Sequence, residues 1–72
     1  MKHFKIAIKA DHHKFEHIYY TISEAYYAII DAVFTFNLDA DLEEIMYSLV
    51  DMDRGELSAH EDKRFLMSIE KE

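Results

Sequence analysis

The chain opens on a strict alternation. From Lys2 to Lys9, Phe4, Ile6 and Ile8 fall on one side and His3, Lys5, Ala7 and Lys9 on the other. Period two over this length predicts a strand with one buried face. The period then changes. Phe15, Ile18, Ile22, Ala25, Tyr26, Ile29, Val33 and Phe36 recur at steps of three and four. That spacing predicts one long helix with a broad apolar stripe, capped by Asp11 and running to about Phe36. Ala32 to Asn37 is rich in β-branched and aromatic residues, which also suits a short strand. Helix is favoured there because the stripe continues without a turn signal.

Asn37 and Asp39 mark a break and a cap for a second helix. Leu42, Ile45, Met46, Leu49 and Met52 form its apolar face, and Leu38 packs where the helix begins. Asp39, Asp41, Glu43 and Glu44 crowd its first turn, the positive end of the helix dipole. Gly55 is the only glycine and follows the last periodic residue, where a left-handed C-cap is commonest. Arg54 is expected in the last turn. Beyond it, Phe65, Met67 and Ile69 alternate with Arg64, Leu66, Ser68 and Glu70 and predict a second strand. Glu56 to His60 reads as either a short strand or a loop. The expected fold is α+β, in β-α-α-β order. Two or three antiparallel strands form a single-layer sheet packed on two helices. Two strands alone are rarely stable, so a second copy extending the sheet fits this picture.

Size narrows the picture. Seventy-two residues make a single domain, 1–72, and a chain this short buries only about 60% of its unfolded surface. No cysteine is present to add a disulfide or a thiolate. Half of the residues are apolar, too many for a disordered chain. No apolar run approaches the roughly 20 residues of a membrane helix, and no apolar region of signal length follows the charged start. The expectation is a soluble, intracellular, cytoplasmic protein.

Charge changes the picture most. Phe15 to Asp53 holds nine carboxylates and no Lys or Arg. All eight basic side chains lie outside that stretch, and the net charge is −7. A negative surface is a poor match for a phosphate backbone or an anionic membrane. Neither direct nucleic-acid binding nor membrane binding is expected. A cationic partner is.

The outer face of the expected long helix carries Tyr20, Tyr27 and Phe34 at seven-residue spacing, with Glu16, Ser23, Glu24 and Asp31 among them. The second helix repeats the theme, with Tyr47 beside Glu43, Glu44 and Asp51. Carboxylates pair with Arg and Lys, and aromatic faces accept guanidinium by cation–π contact. The plainer reading is that this row packs against a copy of itself or against the second helix. Mimicry of nucleic acid needs more charge than one helix offers. Glu16, Glu24 and Asp31 would stand roughly 12 and 10 Å apart along a helix axis, whereas DNA carries one charge per about 1.7 Å.

His12, His13 and His17 cluster near Asp11 and Glu16. On a helix His13 and His17 would share a face and could hold a metal ion, with His3 or His60 as a further ligand. The plainer reading is an exposed polar helix start, so no cofactor is expected. Calcium loops fail on spacing: Gly55 falls in the wrong place after Asp51 and Asp53, and Leu42 stands where glycine is needed after Asn37, Asp39 and Asp41. No glycine-rich phosphate loop or nucleophile motif is present, so an enzyme is not expected.

The sequence therefore predicts a small acidic regulator or inhibitor that binds protein. It would dock Glu16, Tyr20, Glu24, Tyr27, Asp31, Phe34, Glu43, Glu44, Tyr47 and Asp51 on a basic surface, one that could belong to a nucleic-acid-binding protein. By analogy, such domains suit regulators encoded by phages or mobile elements. The alternatives are a homodimer with the tyrosine row as its seam, and a histidine metal-binding module.

Overall fold

A computed structural model describes residues 3–72. Lys2, where the expected first strand starts, lies outside them. The chain runs β1 (Phe4–Ala10), β2 (His13–Tyr19), α1 (Ile22–Thr35), α2 (Leu42–Asp51), β3 (Leu57–Glu61) and β4 (Phe65–Lys71). It is α+β, as expected, but the sheet has four strands rather than two or three. A β-hairpin stands at each end of the helical pair, so the β-α-α-β order gains two strands. The sheet is antiparallel throughout, in the order β2-β1-β4-β3.

The first helix is where pattern and structure part. Residues 13–19 are strand β2, not helix. Asp11 is no N-cap; it occupies the tight turn between β1 and β2 with φ 52°. Aspartate tolerates positive φ better than most side chains. Phe15 and Ile18, read as neighbours on one helical stripe, fall on opposite faces of β2. Phe15 and Tyr19 turn toward the helices, and Ile18 turns away. Three-residue steps look helical only while the turn before them goes unrecognised.

Helix α1 starts at Ile22. Thr21 caps it, its Oγ1 accepting from the Glu24 amide at 3.1 Å and donating to the Glu24 carboxylate at 3.0 Å. The helix ends on Phe36, as expected. Asn37 then takes a left-handed φ of 52°. The Leu38 amide reaches back to the Val33 carbonyl at 2.9 Å, and the Asn37 amide to Phe34 at 3.4 Å. That is a Schellman ending, with Leu38 and Val33 buried beside each other's turn. Asn37 thus ends α1 and does not cap α2. The cap of α2 is Asp41, not Asp39: its carboxylate accepts from the Glu44 amide at 3.1 Å.

Helix α2 closes on Met52, so Arg54 lies beyond the last turn. Gly55 is left-handed, at φ 91°, but it turns the chain toward β3 and does not cap the helix. Its amide donates to the Lys71 carbonyl at 2.7 Å. Neither helix has a base in its last turn. Strand β4 and the turn before it supply cations instead. Arg64 donates to the carbonyls of Phe36 and Asn37 at 3.1 and 2.9 Å, and Lys71 donates to that of Met52 at 2.9 Å. Both placements suit the negative end of a helix dipole. Arg64 also pairs with Asp11 at 3.0 Å, which joins the β1–β2 turn to the end of α1.

The core lies between the helices and one face of the sheet. Ile8, Met67 and Ile69 from the central strands meet Ile29 of α1 and Ile45 and Leu49 of α2, all fully buried. Burying each such side chain is worth about 1.5–3 kcal/mol. No polar side chain is buried among the described residues, so the core is held by packing alone.

Two outcomes follow. Gly55→Ala should lower stability by about 1–2 kcal/mol in urea unfolding, the cost of a left-handed non-glycine residue. Nothing lies within 4 Å of the added methyl group, so strain, not a clash, would be measured. Hydrogen bonding to Arg64, and then its charge, hold the Asp11 carboxyl below its ordinary value of 3.8. A lowered folded pKa contributes stability that is present above pH about 4 and lost as pH falls through it. Asp11→Asn should therefore flatten that part of the acid limb of a stability–pH curve and leave the neutral range with a constant offset.

Candidate functional site

The helices present their outer faces away from the sheet. Tyr27 and Phe34 on α1 are 70% and 74% exposed, and Tyr47 and Val50 on α2 are also open to solvent. Seven residues is close to two turns, so Tyr27 and Phe34 form one row along α1.

The carboxylates flank this row. Asp31 stands one turn beyond Tyr27, about 40° round the helix. It lies on the side of β2, because its charge acts on the Tyr19 phenol. Burial is the larger reason that phenol sits above its ordinary value of 10.0, and Asp31 pushes it the same way. The same step on α2 takes Tyr47 to Asp51, which lines a depression with Leu57 and Ser58 of β3. Glu44 and Asp41 overhang His60 and Glu61 further along that strand. The helical layer thus exposes aromatic groups with carboxylates beside them on both helices. A shallow groove on α2, lined by Asp41, Glu43, Glu44, Tyr47, Ser48 and Asp51, is open to solvent.

Most of the expected residues share this face. Tyr27, Asp31, Phe34, Glu43, Glu44, Tyr47 and Asp51 are exposed there, with Glu24 tied to Thr21 at the start of α1. Two do not belong to the helical row. Tyr20 precedes α1, in a bend, with its ring edge toward His3 at 6.1 Å between centroids. Glu16 lies on β2 and turns to the other side of the sheet, where its carboxylate is 3.5 Å from the Lys5 ammonium. Both misplacements come from the missed hairpin. Val50 was not anticipated. It falls outside the buried stripe of α2, three residues after Tyr47, and that spacing was the available signal.

The histidines are separated by the same hairpin. Four residues along a strand span about 13 Å, with Phe15 between His13 and His17. The His13 ring packs on Phe36 at 5.1 Å and the His17 ring on Tyr19 at 4.9 Å. No group of three potential metal ligands is found among the described residues. No helix is long and apolar enough to cross a membrane.

Comparison with protein-family models, with curated proteins and with solved structures finds no match to this chain.

The placement of Asp31 is directly checkable. In an NMR titration the Tyr19 ring should change above pH 10. Asp31→Asn should move that midpoint back toward 10 without reaching it, since burial remains. An unmoved midpoint would put Asp31 elsewhere.

Proposed function

We propose that this protein is a binding module whose outer helical face docks on a basic surface of another protein. One observation carries the reading. Residues 22–51, the helical layer, hold seven carboxylates and no Lys or Arg, and the same layer exposes Tyr27, Phe34, Tyr47 and Val50. Aromatic groups supply contact area at low entropic cost, and carboxylates select guanidinium and ammonium groups around them. A solvated surface needs the charge but not the rings.

The chemistry favours arginine on the target. Its plane can lie on Tyr27 or Tyr47 while its donors reach Asp31 or Asp51, one turn away. Asp41 is occupied by its helix cap, and Glu24 by Thr21. Asp31, Asp39, Glu43, Glu44 and Asp51 are therefore the charges available to a partner. A target whose basic patch normally holds a phosphate backbone would be inhibited by competition for that patch. This gives the regulatory reading a mechanism without direct contact to nucleic acid.

The tyrosine row as a seam between two copies is the less favoured reading. Face-to-face contact there would bring two unbalanced acidic layers together, and like charges across an interface are costly.

Affinity capture at low salt should recover specific basic proteins with the wild type. Tyr27→Ala/Tyr47→Ala should weaken capture about tenfold or more, the loss typical of central aromatic contacts. Asp31→Lys/Asp51→Lys should abolish it, and raising salt should weaken the wild type steadily. Recovery of the same proteins by both double variants would sink the reading.

A further inference from the structure

The second large surface is the open face of the sheet, which no element covers. Its composition is unlike the helical face. Lys5, Lys9 and Lys14 stand there with Glu16, Glu61 and Glu70, so its formal charge balances, against −7 for the chain. Ile18, Leu57 and Leu66 are exposed among them, Leu57 by 66%.

Register arranges these groups in three rows across the strands. The first runs Ile18, Lys5, Glu70, Leu57 from β2 to β3. The second runs Glu16, Ala7, Ser68, Ala59, and the third Lys14, Lys9, Leu66, Glu61. Lys9 and Lys14 are direct cross-strand partners. Like charges so placed destabilise a sheet. Neither has a carboxylate within ion-pair distance among the described residues, where the Lys and Arg ion pairs are Lys5–Glu16 and Arg64–Asp11. The third row therefore has two unpaired cations, Lys14 on β2 and Lys9 on β1, and a carboxylate at its β3 end.

We propose that this face docks on the same face of a second copy, with β2 of each copy over β3 of the other and β1 over β4. A two-fold axis lying between the sheets and parallel to the strands reverses each row onto itself. Lys14 then faces Glu61 of the second copy, and Lys5 faces its Glu70. Ile18 faces Leu57, and the small residues Ala7 and Ser68 meet at the centre, where they allow close approach. Aligned packing of this kind is a common way for two sheets to meet. The other two-fold arrangement, with the axis across the strands, sets Lys5 against Lys9 and Glu16 against its own counterpart. Charge therefore selects the first.

Area sets the strength. Four strands and six residues of length give a face of about 400 Å² per copy in the plane. That is below the roughly 800 Å² per partner of a standard interface. The dimer should dissociate on dilution. This inference goes beyond the proposed binding function and leaves the helical face free for a different partner.

Sedimentation over a range of concentrations tests it with the full chain. The wild type should show a reversible monomer–dimer equilibrium at low salt. Lys14→Glu and Glu61→Lys lie on exposed edge strands three columns apart, so neither should disturb the fold. Each alone should weaken association about tenfold or more, the effect of opposed like charges. The double reversal Lys14→Glu/Glu61→Lys should restore it, while Tyr27→Glu should leave it unchanged. A wild type that stays monomeric at millimolar concentration overturns the proposal. So does failure of the double reversal to rescue, or loss of the dimer in Tyr27→Glu.

Discussion

The pairing of β1 with β4 is the constraint on which everything else depends. These strands come from the two ends of the described chain and lie side by side at the centre of the sheet. Their register sets Ile6 against Ile69 and Ile8 against Met67 on the buried face. Each outer strand hangs from one of them, β2 from β1 and β3 from β4. The helices pack on the buried face of this sheet and on each other. A shift of one residue in this pairing would turn the apolar set outward. Such distant contacts pay their loop entropy before they return any burial, so the central pairing is also where folding should be slowest.

The charge pattern follows from the same pairing. Neither helix ends in a base of its own. Arg64 and Lys71, at the two ends of β4, reach the carbonyls left open at the ends of α1 and α2. The basic side chains are thus placed on the sheet and its turns, and the helical layer is left purely acidic. What looks like segregation along the sequence becomes segregation by layer. One side of the molecule carries carboxylates around exposed aromatic rings. The other carries balanced charge around exposed aliphatic groups. Two unlike surfaces match the two proposed partners, a basic protein on the helices and a second copy on the sheet.

Strands β1 and β4 and helix α2 were legible because each keeps a single period and faces the core along its whole length. The end of α1 was legible for the same reason. The start of α1 was not. Strand β2 is an edge strand with two inward-facing histidines, His13 and His17, in place of aliphatic groups, so its alternation is faint. Its turn, Asp11–His12, lacks glycine and asparagine, the usual marks of a hairpin. Without that turn the helix is extended by nearly three turns, and Glu16 and Tyr20 fall on the wrong surface. A helix there would set His13 and His17 on one face, whereas the strand holds them apart. Tyr27, Asp31, Phe34, Tyr47 and Asp51 were placed correctly because the helices that carry them were.

The sequence by itself determined the class of the fold, the central strands, the buried face of each helix and the acidic, aromatic character of the helical surface. These rest on local periodicity and on counts of charge, which need no knowledge of the partner strand. Only the tertiary structure decided the number of strands, which carboxylates share a face, and which groups oppose one another across the open sheet. Those depend on register between distant segments, and register is set by how the whole core packs rather than by any single stretch of chain.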